Sequence, residues 1–444
     1  MSMLGRLRRG ELAGARRLDL AQGLSEFPRE IFELADTLEI LNLSGNALDS
    51  LPDDLHRLHR LRVLFCSDNR FTAVPEVLGR CERLEMVAFK ANRIARVPAG
   101  SLPPALRWLI LTDNRIEALP AELGRRPRLQ KLMLAGNRLT MLPDEMADCR
   151  ALELVRISAN RLDALPGWLL SLPRLSWIAF AGNPFDEVPE ALAMNAQAVA
   201  RVDWGALRLG RQLGEGASGV IHAADWRQPD GSSRPVAVKV FKGAVTSDGW
   251  PHSEMAACIA AAGAHPNLIA VQGRIENHPE GSEGLLLSLV DAGYANLAGP
   301  PSLQSCTRDV YAEGAAWSAR SALRMARGIA CAVARLHARG ILHGDLYGHN
   351  ILCNDRGDGL LGDFGAASFL PRGDDAAARA LQGIESRAFG CLLEELVARC
   401  DPAEADAPAI RSVMNGLQLR CFGTDPAQRP SFAELAAGLD AAAG

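Results

Sequence analysis

Only four of the 48 basic residues are lysines: Lys90, Lys131, Lys239 and Lys242. Everywhere else the cation is arginine, so a lysine marks a place where a compact ammonium suits the task better than a planar guanidinium. Lys239 closes the run Val236-Ala237-Val238-Lys239, downstream of Leu213-Gly214-Glu215-Gly216-Ala217-Ser218-Gly219-Val220. Glycines at 214, 216 and 219 let backbone N–H groups close over phosphate oxygens without a side-chain clash. Lys239 would neutralise two of those phosphates, with Leu213, Val220 and Ala237 completing the surface. A helical acid should hold the lysine, and Glu254 in PHSEMAACIAAAG is the candidate. A second cluster runs His343-Gly344-Asp345-Leu346-Tyr347-Gly348-His349-Asn350. Asp345 can accept a hydroxyl proton and aim the oxygen, and Asn350 offers a carbonyl to a magnesium ion. Asp363-Phe364-Gly365, thirteen residues after Asn350, brings a carboxylate that could bridge metal to phosphate.

These side chains need strands and turns beneath them. A glycine triplet alone is a weak signal, because a dinucleotide site uses a similar string. Here the triplet leads into strand-like Val220-Ile221-His222-Ala223-Ala224 and then Val-Ala-Val-Lys, with no long helix between, which argues against a dinucleotide fold. Apolar, strand-like residues also border the Asp345 and Asp363 clusters.

From about Leu207 to the end the chain resembles the protein kinase family. The resemblance rests on the glycine loop, Lys239, the Asp345–Asn350 cluster, Asp363-Phe364-Gly365, and two later segments. Glu385-Ser386-Arg387-Ala388-Phe389-Gly390 looks like the start of the family's buried central helix, and Asp425-Pro426-x-x-Arg429-Pro430 like the motif near its end. It implies a two-lobed α+β domain that uses ATP and Mg2+, with Asp345, Lys239 and Glu254 as catalytic residues and Asn350 and Asp363 as metal ligands. Three departures stand out. Gly344 replaces the arginine that in many kinases reads an activation-loop phosphate, and Tyr347 replaces a lysine usual in serine/threonine kinases. The segment from Asp363 to Glu385 is short and has no recognisable Ala-Pro-Glu, so the acid that usually pairs with Arg429 is not identifiable. Activity is therefore expected not to depend on phosphorylation of that loop.

The first half is an array. Asparagines recur at 46, 69, 92, 114, 137, 160 and 183, each preceded by an apolar anchor at a fixed offset and followed by a proline, Pro52 through Pro189. The unit L-x-x-L-x-L-x-x-N-x-L-x-x-L-P resembles the leucine-rich repeat, which implies an α/β solenoid whose leucines are buried only against neighbouring units. Strand alternation sets Phe65, Trp108, Ile110, Met133 and Trp177 on the outward, concave side. That apolar set is expected to face water and to bind a protein substrate or regulator. The repeat decays through ALAMNAQAVARVDW, which reads as a cap, so residues 1–203 are expected to form the repeat domain and 204–444 the kinase-like domain.

Bulk properties narrow the classes further. The chain has 444 residues, is 48% hydrophobic and carries a formal net charge of −4. Basic and acidic residues number 27 and 26 in the first 204 positions and 21 and 26 afterwards, so neither half is a polycation suited to nucleic acid. Ten scattered cysteines show no metal-ligand spacing, the N-terminal stretch is too charged for a secretory signal, and no uncharged apolar run is long enough to span a membrane. A cytoplasmic protein is expected. The leading function is transfer of the ATP γ-phosphoryl group to Ser/Thr hydroxyls of a protein, with the repeats recruiting it. The alternatives are a nucleotide-binding scaffold that transfers nothing, and a small-molecule phosphotransferase of kinase-like fold.

Overall fold

The computed structural model describes residues 2–195, 199–401, 404 and 406–442. It divides into two compact units, Met1–Leu172 and Pro173–Gly444. The division falls inside the repeat array, upstream of the boundary expected near Asp203. Part of the expected cap, residues 196–198, lies outside the described residues.

In the first unit each repeat contributes a three-residue parallel strand, from Arg17–Asp19 and Ile40–Asn42 through Trp108–Ile110 to Lys131–Met133 and Leu154–Arg156. The central residue of each strand, such as Leu41, Leu64, Leu109 or Leu132, is fully buried. The periodic prolines explain the return path: Pro28, Pro75, Pro98, Pro120 and Pro143 each open a short 3-10 turn, where their missing N–H costs nothing. The asparagines form a ladder. Asn114 accepts from the Ile94 N–H at 2.9 Å and donates to the Phe89 carbonyl at 2.8 Å, and Asn69, Asn92, Asn137 and Asn160 repeat the pattern one unit along. Each amide thus pairs backbone groups of the preceding repeat that would otherwise be buried unsatisfied.

The second unit opens with the last strand of the repeat pattern, Trp177–Ala179, and a helix, Glu187–Asn195. A six-stranded sheet follows among the described residues, in the spatial order Leu207–Glu215, Gly219–Arg227, Ser233–Phe241, Gly284–Ser288, Val271–Glu276, Ala200–Asp203. All its pairings are antiparallel except the last, where Ala200–Asp203 adds a parallel edge strand to Val271–Glu276. Val202 from that edge joins Val236, Val238, Ile275 and Leu286 in the core of the smaller lobe. The helix Pro251–Ala261 carries Glu254 beneath this sheet.

The larger lobe is built on the helices Ala319–Ala338, Asp375–Val397, Ala407–Cys421 and Phe432–Asp440. Three of the four have N-termini capped by side chains: Ser318 accepts from Ser321 N, Asp374 from Ala377 N, and Ser431 forms a capping box with Glu434. Two small sheets carry the second cluster. Ile351–Cys353 pairs with Gly359–Leu361, and Ile341–Leu342 pairs with Ser368–Phe369. Among the described residues no helix is long and apolar enough to cross a membrane.

Candidate active site

The glycine loop is the turn between the first two strands of the small lobe. The Gly216 N–H donates to the Gly219 carbonyl at 2.9 Å, closing the turn. Gly219 is obligatory, because a Cβ there would lie 2.5 Å from the Val240 carbonyl oxygen. Gly214 and Gly216 have nothing within 4 Å on that side, so their surface is open to a ligand. Lys242 ties the loop down through Glu215, at 2.6 Å, and the Gly216 carbonyl, at 3.1 Å.

Antiparallel register places Ile221 opposite Lys239, and both line one cleft with Gly216, Gly219, Glu254 and Asp363. The neighbouring position thus lines the cleft where Val220 was expected: side chains alternate across a strand, and Ile221 shares the face of Lys239. Leu213, Gly214, Ala237, Asp345 and Asn350 are likewise not among the lining residues; Leu213 is exposed and Ala237 is buried in the sheet. Ile269, Val271, Leu285 and Leu287 supply the apolar wall, with Cys258 one helical turn beyond Glu254. The sequence marked none of these, since an ordinary buried residue of a strand looks the same as one lining a pocket.

Lys239 Nζ is paired with Glu254 Oε1. Burial works against the lysine charge, but Glu254 and Asp363 hold the ammonium above its ordinary pKa. Burial pushes the Glu254 carboxyl up, with Lys239 opposing it. The lysine is thus a fixed cation pointed at the cleft.

In the large lobe, His343 is fully buried, and its Nε2 lies 2.9 Å from the Gly362 carbonyl, next to Asp363. Asn350 donates its side-chain NH2 to the Asp345 carbonyl at 2.9 Å and to Asp345 Oδ2 at 3.0 Å, while its own backbone carbonyl accepts from Gly362 N at 3.0 Å. The Asn350 side-chain oxygen is the atom this residue would offer to a cation. Asp363 stands in the left-handed region at φ +52°, its Oδ1 accepting from Gly365 N at 3.1 Å. Two hard oxygen donors of this kind fit a magnesium ion that keeps water and phosphate as its other ligands.

The central helix supports the loop from below. Glu385 accepts from Gly344 N at 2.6 Å and from His343 N at 3.4 Å, and its Oε2 lies 2.7 Å from His337 Nε2. Burial opposes the Glu385 charge, but the hydrogen bond from His337 and the neighbouring donors leave its pKa lowered. His349 pairs with Asp309 at 2.7 Å; burial opposes its charge, but Asp309, Asp345 and Asp363 raise its pKa.

On the repeat strands Phe65, Trp108, Ile110 and Met133 are half-buried at outward positions, and the Lys131 ammonium lies 4.2 Å from the centre of the Trp108 ring. Trp177 is different. Expected to face water, it is only 2% exposed; its ring stacks on Tyr347 with centroids 4.2 Å apart and planes 7° apart, and its Nε1 donates to the Leu346 carbonyl at 3.0 Å. Alternation gave its side of the strand correctly but could not reveal what covers that side.

Residues 207–387 match the family model for protein tyrosine and serine/threonine kinases. Residues 37–58 and 127–185 match two leucine-rich repeat models. Over 166 residues the chain is 28% identical to a protein of Oryza sativa subsp. japonica that bears the name cyclin-dependent kinase F-2, a match covering 36% of this chain and 47% of that protein. The chain thus spans about half the length of that relative. A leucine-rich repeat protein of Leptospira interrogans, of solved structure, is 26% identical, with a TM-score of 0.32 over 39% of this chain and 50% of that one.

Proposed function

We propose that this chain, which joins leucine-rich repeats to a protein kinase domain, transfers the γ-phosphoryl group of ATP to a Ser/Thr hydroxyl of a protein that its repeats recruit. The observation that carries the reading is the joint presence of the Lys239–Glu254 pair in the glycine-loop cleft and the Asn350–Asp345 hydrogen bonds beside Asp363. Lys239 and the loop N–H groups would hold the phosphates. Asp345 Oδ2, oriented by Asn350, would receive the hydroxyl proton and aim the oxygen at phosphorus. Asn350 and Asp363 would hold Mg2+, whose charge would offset that developing on the transferring phosphate. Positioning and charge stabilisation are what such a transfer asks of a protein.

Half-buried Phe65, Trp108, Ile110 and Met133 form the surface we assign to recruitment, since aromatic and apolar residues dominate protein-binding patches. A second reading, a nucleotide-binding scaffold without transfer, draws on the Trp177–Tyr347 stack two residues from Asp345. Transfer of labelled phosphate from ATP and Mg2+ to generic proteins and to the chain itself separates the two. Under the kinase reading Asp345→Asn lowers transfer by about 10²-fold or more, the usual weight of a positioned base, while nucleotide binding persists. Undetectable transfer by wild type, with nucleotide still bound, would establish the scaffold.

A further inference from the structure

One short stretch of the second unit, Pro173–Phe180, meets the catalytic loop and its supports at five points. The Trp177 ring stacks on Tyr347, and its Nε1 donates to the Leu346 carbonyl at 3.0 Å. Gly344 sits at φ +75°, and a Cβ on it would lie 2.5 Å from both the Ile178 and the Ala366 carbonyl oxygens. Phe180 N donates to Ser368 Oγ at 3.2 Å, on the strand that pairs with Ile341–Leu342 just ahead of the loop. Arg429, 1% exposed, donates to three carbonyls, those of Gly423, Gly383 and Pro173, the last at 2.8 Å.

The contacted residues 344, 346 and 347 bracket Asp345 on both sides. Two of them, Gly344 and Tyr347, are the positions where this loop departs from the kinase pattern, and each departure complements the repeat strand. Glycine is the residue that both the left-handed φ and the close approach of the Ile178 carbonyl permit. Tyrosine offers a flat ring to the Trp177 indole, an offset-stacked pair of the kind worth more than its buried area alone. Arg429, whose family acid partner is not identifiable in the sequence, donates to the repeat backbone at Pro173.

We infer that the Pro173–Phe180 stretch is a built-in clamp on the catalytic loop, with Trp177 a positioning residue that fixes Asp345 through Tyr347 and Leu346. A loop held by its own chain needs no phosphate to order it. The clamp rests on the kinase reading for its catalytic consequence, though not for its mechanical one.

The test compares full-length wild type, Trp177→Ala, Trp177→Phe, Tyr347→Ala and the Trp177→Ala/Tyr347→Ala double variant, each checked for folding by thermal unfolding. Misplacing Asp345 should lower kcat of Trp177→Ala by about 10²-fold and leave the KM for ATP unchanged. Phenylalanine, which keeps the stack and loses the indole N–H, should recover much of that loss. The double variant should match Trp177→Ala, because Tyr347→Ala removes only the stack that Trp177→Ala has already broken. Amide hydrogen exchange should accelerate across residues 344–350 in Trp177→Ala and in Tyr347→Ala, and stay at the wild-type rate across 236–241. Should Trp177→Ala fail to fold, Trp177→Phe and Tyr347→Ala carry the comparison. Increased transfer in the alanine variants would make the ring a mask and overturn the clamp, as would exchange across 344–350 unchanged from wild type. If wild type transfers no phosphate, the kinase reading fails by itself, and the exchange comparison still decides whether the clamp exists.

Discussion

At the scale of single residues, two tryptophans that occupy the same place in their repeats have different surroundings. Trp108 and Trp177 each begin a repeat strand and face away from the leucine core, as their sequence offsets indicate. Trp108 remains half-buried with Lys131 over its ring, whereas Trp177 is buried on Tyr347. Side-chain alternation is a local rule: it tells which face a residue takes and nothing of what packs there. The same limit explains Val220 and Ile221, where the motif identified the strand and one step of register decided which side chain reaches the cleft. The polar residues placed around the cleft were more legible. Lys239 is one of four lysines in the chain, and with Glu254, Asn350 and Asp363 it stands at long-range spacings that few other structures require. Trp108→Ser should therefore weaken capture of a recruited protein, measured as pull-down from solution, and leave phosphate transfer to a short generic peptide at the wild-type level. Loss of peptide transfer in this variant would tie Trp108 to the catalytic domain and remove it from the recruiting surface.

At the scale of elements, the helix Glu187–Asn195 reaches the helix that carries Glu254. Ser253 Oγ donates to Glu190 Oε2 at 3.0 Å, and Glu190 Oε1 accepts from Gly182 N at 2.8 Å. Beside this bridge sits Asp186, 1% exposed, facing the Glu190 carboxyl and the Phe369 backbone. Burial, with the adjacent Glu190 charge, pushes the Asp186 carboxyl from 3.8 up to about 8. A carboxyl whose folded pKa is raised stays protonated in the fold while the unfolded chain releases its proton. Its contribution to stability is complete below about pH 4 and is lost as pH rises through about 8. Asp186→Asn, which mimics the protonated form, should match wild type in acid and exceed it near pH 9. The expected gain in Tm is several degrees, at about 2–4 °C per kcal/mol for a unit of this size. A Tm difference that does not change with pH would show that Asp186 is not protonated in the fold. The segment that reads as a cap begins only at Ala191, and nothing local to Asp186 or Glu190 marks them as acids that tertiary contacts will bury.

At the scale of the whole molecule, the contact boundary and the motif boundary disagree, and the disagreement has a physical cause. The repeat pattern continues past Leu172 by sequence, yet the residues after it pack with the kinase domain: Pro173 on Arg429, Trp177 on Tyr347, Glu190 on Ser253, and Val202 in the core of the small lobe. Periodicity reports how a segment folds locally, and it follows the repeat to its last asparagine; which core that segment joins depends on contacts more than 150 residues apart in sequence, such as Trp177 with Leu346. A fragment beginning at residue 204 would lose the edge strand Ala200–Asp203, leave Val236 and Val238 without the Val202 side chain, and strand the Arg429 guanidinium without the Pro173 carbonyl. Leaving a buried donor unpaired costs about 1–3 kcal/mol, and emptying a valine site in a core costs a similar amount. Those losses fall on a domain whose total stability is of order 5–15 kcal/mol. A fragment of residues 173–444 should accordingly unfold in one cooperative transition and bind ATP, and a fragment of residues 204–444 should unfold at lower temperature, with a broader transition and weaker ATP binding. Equal thermal stability of the two would mean that residues 173–203 only lie against the kinase domain and do not hold it together.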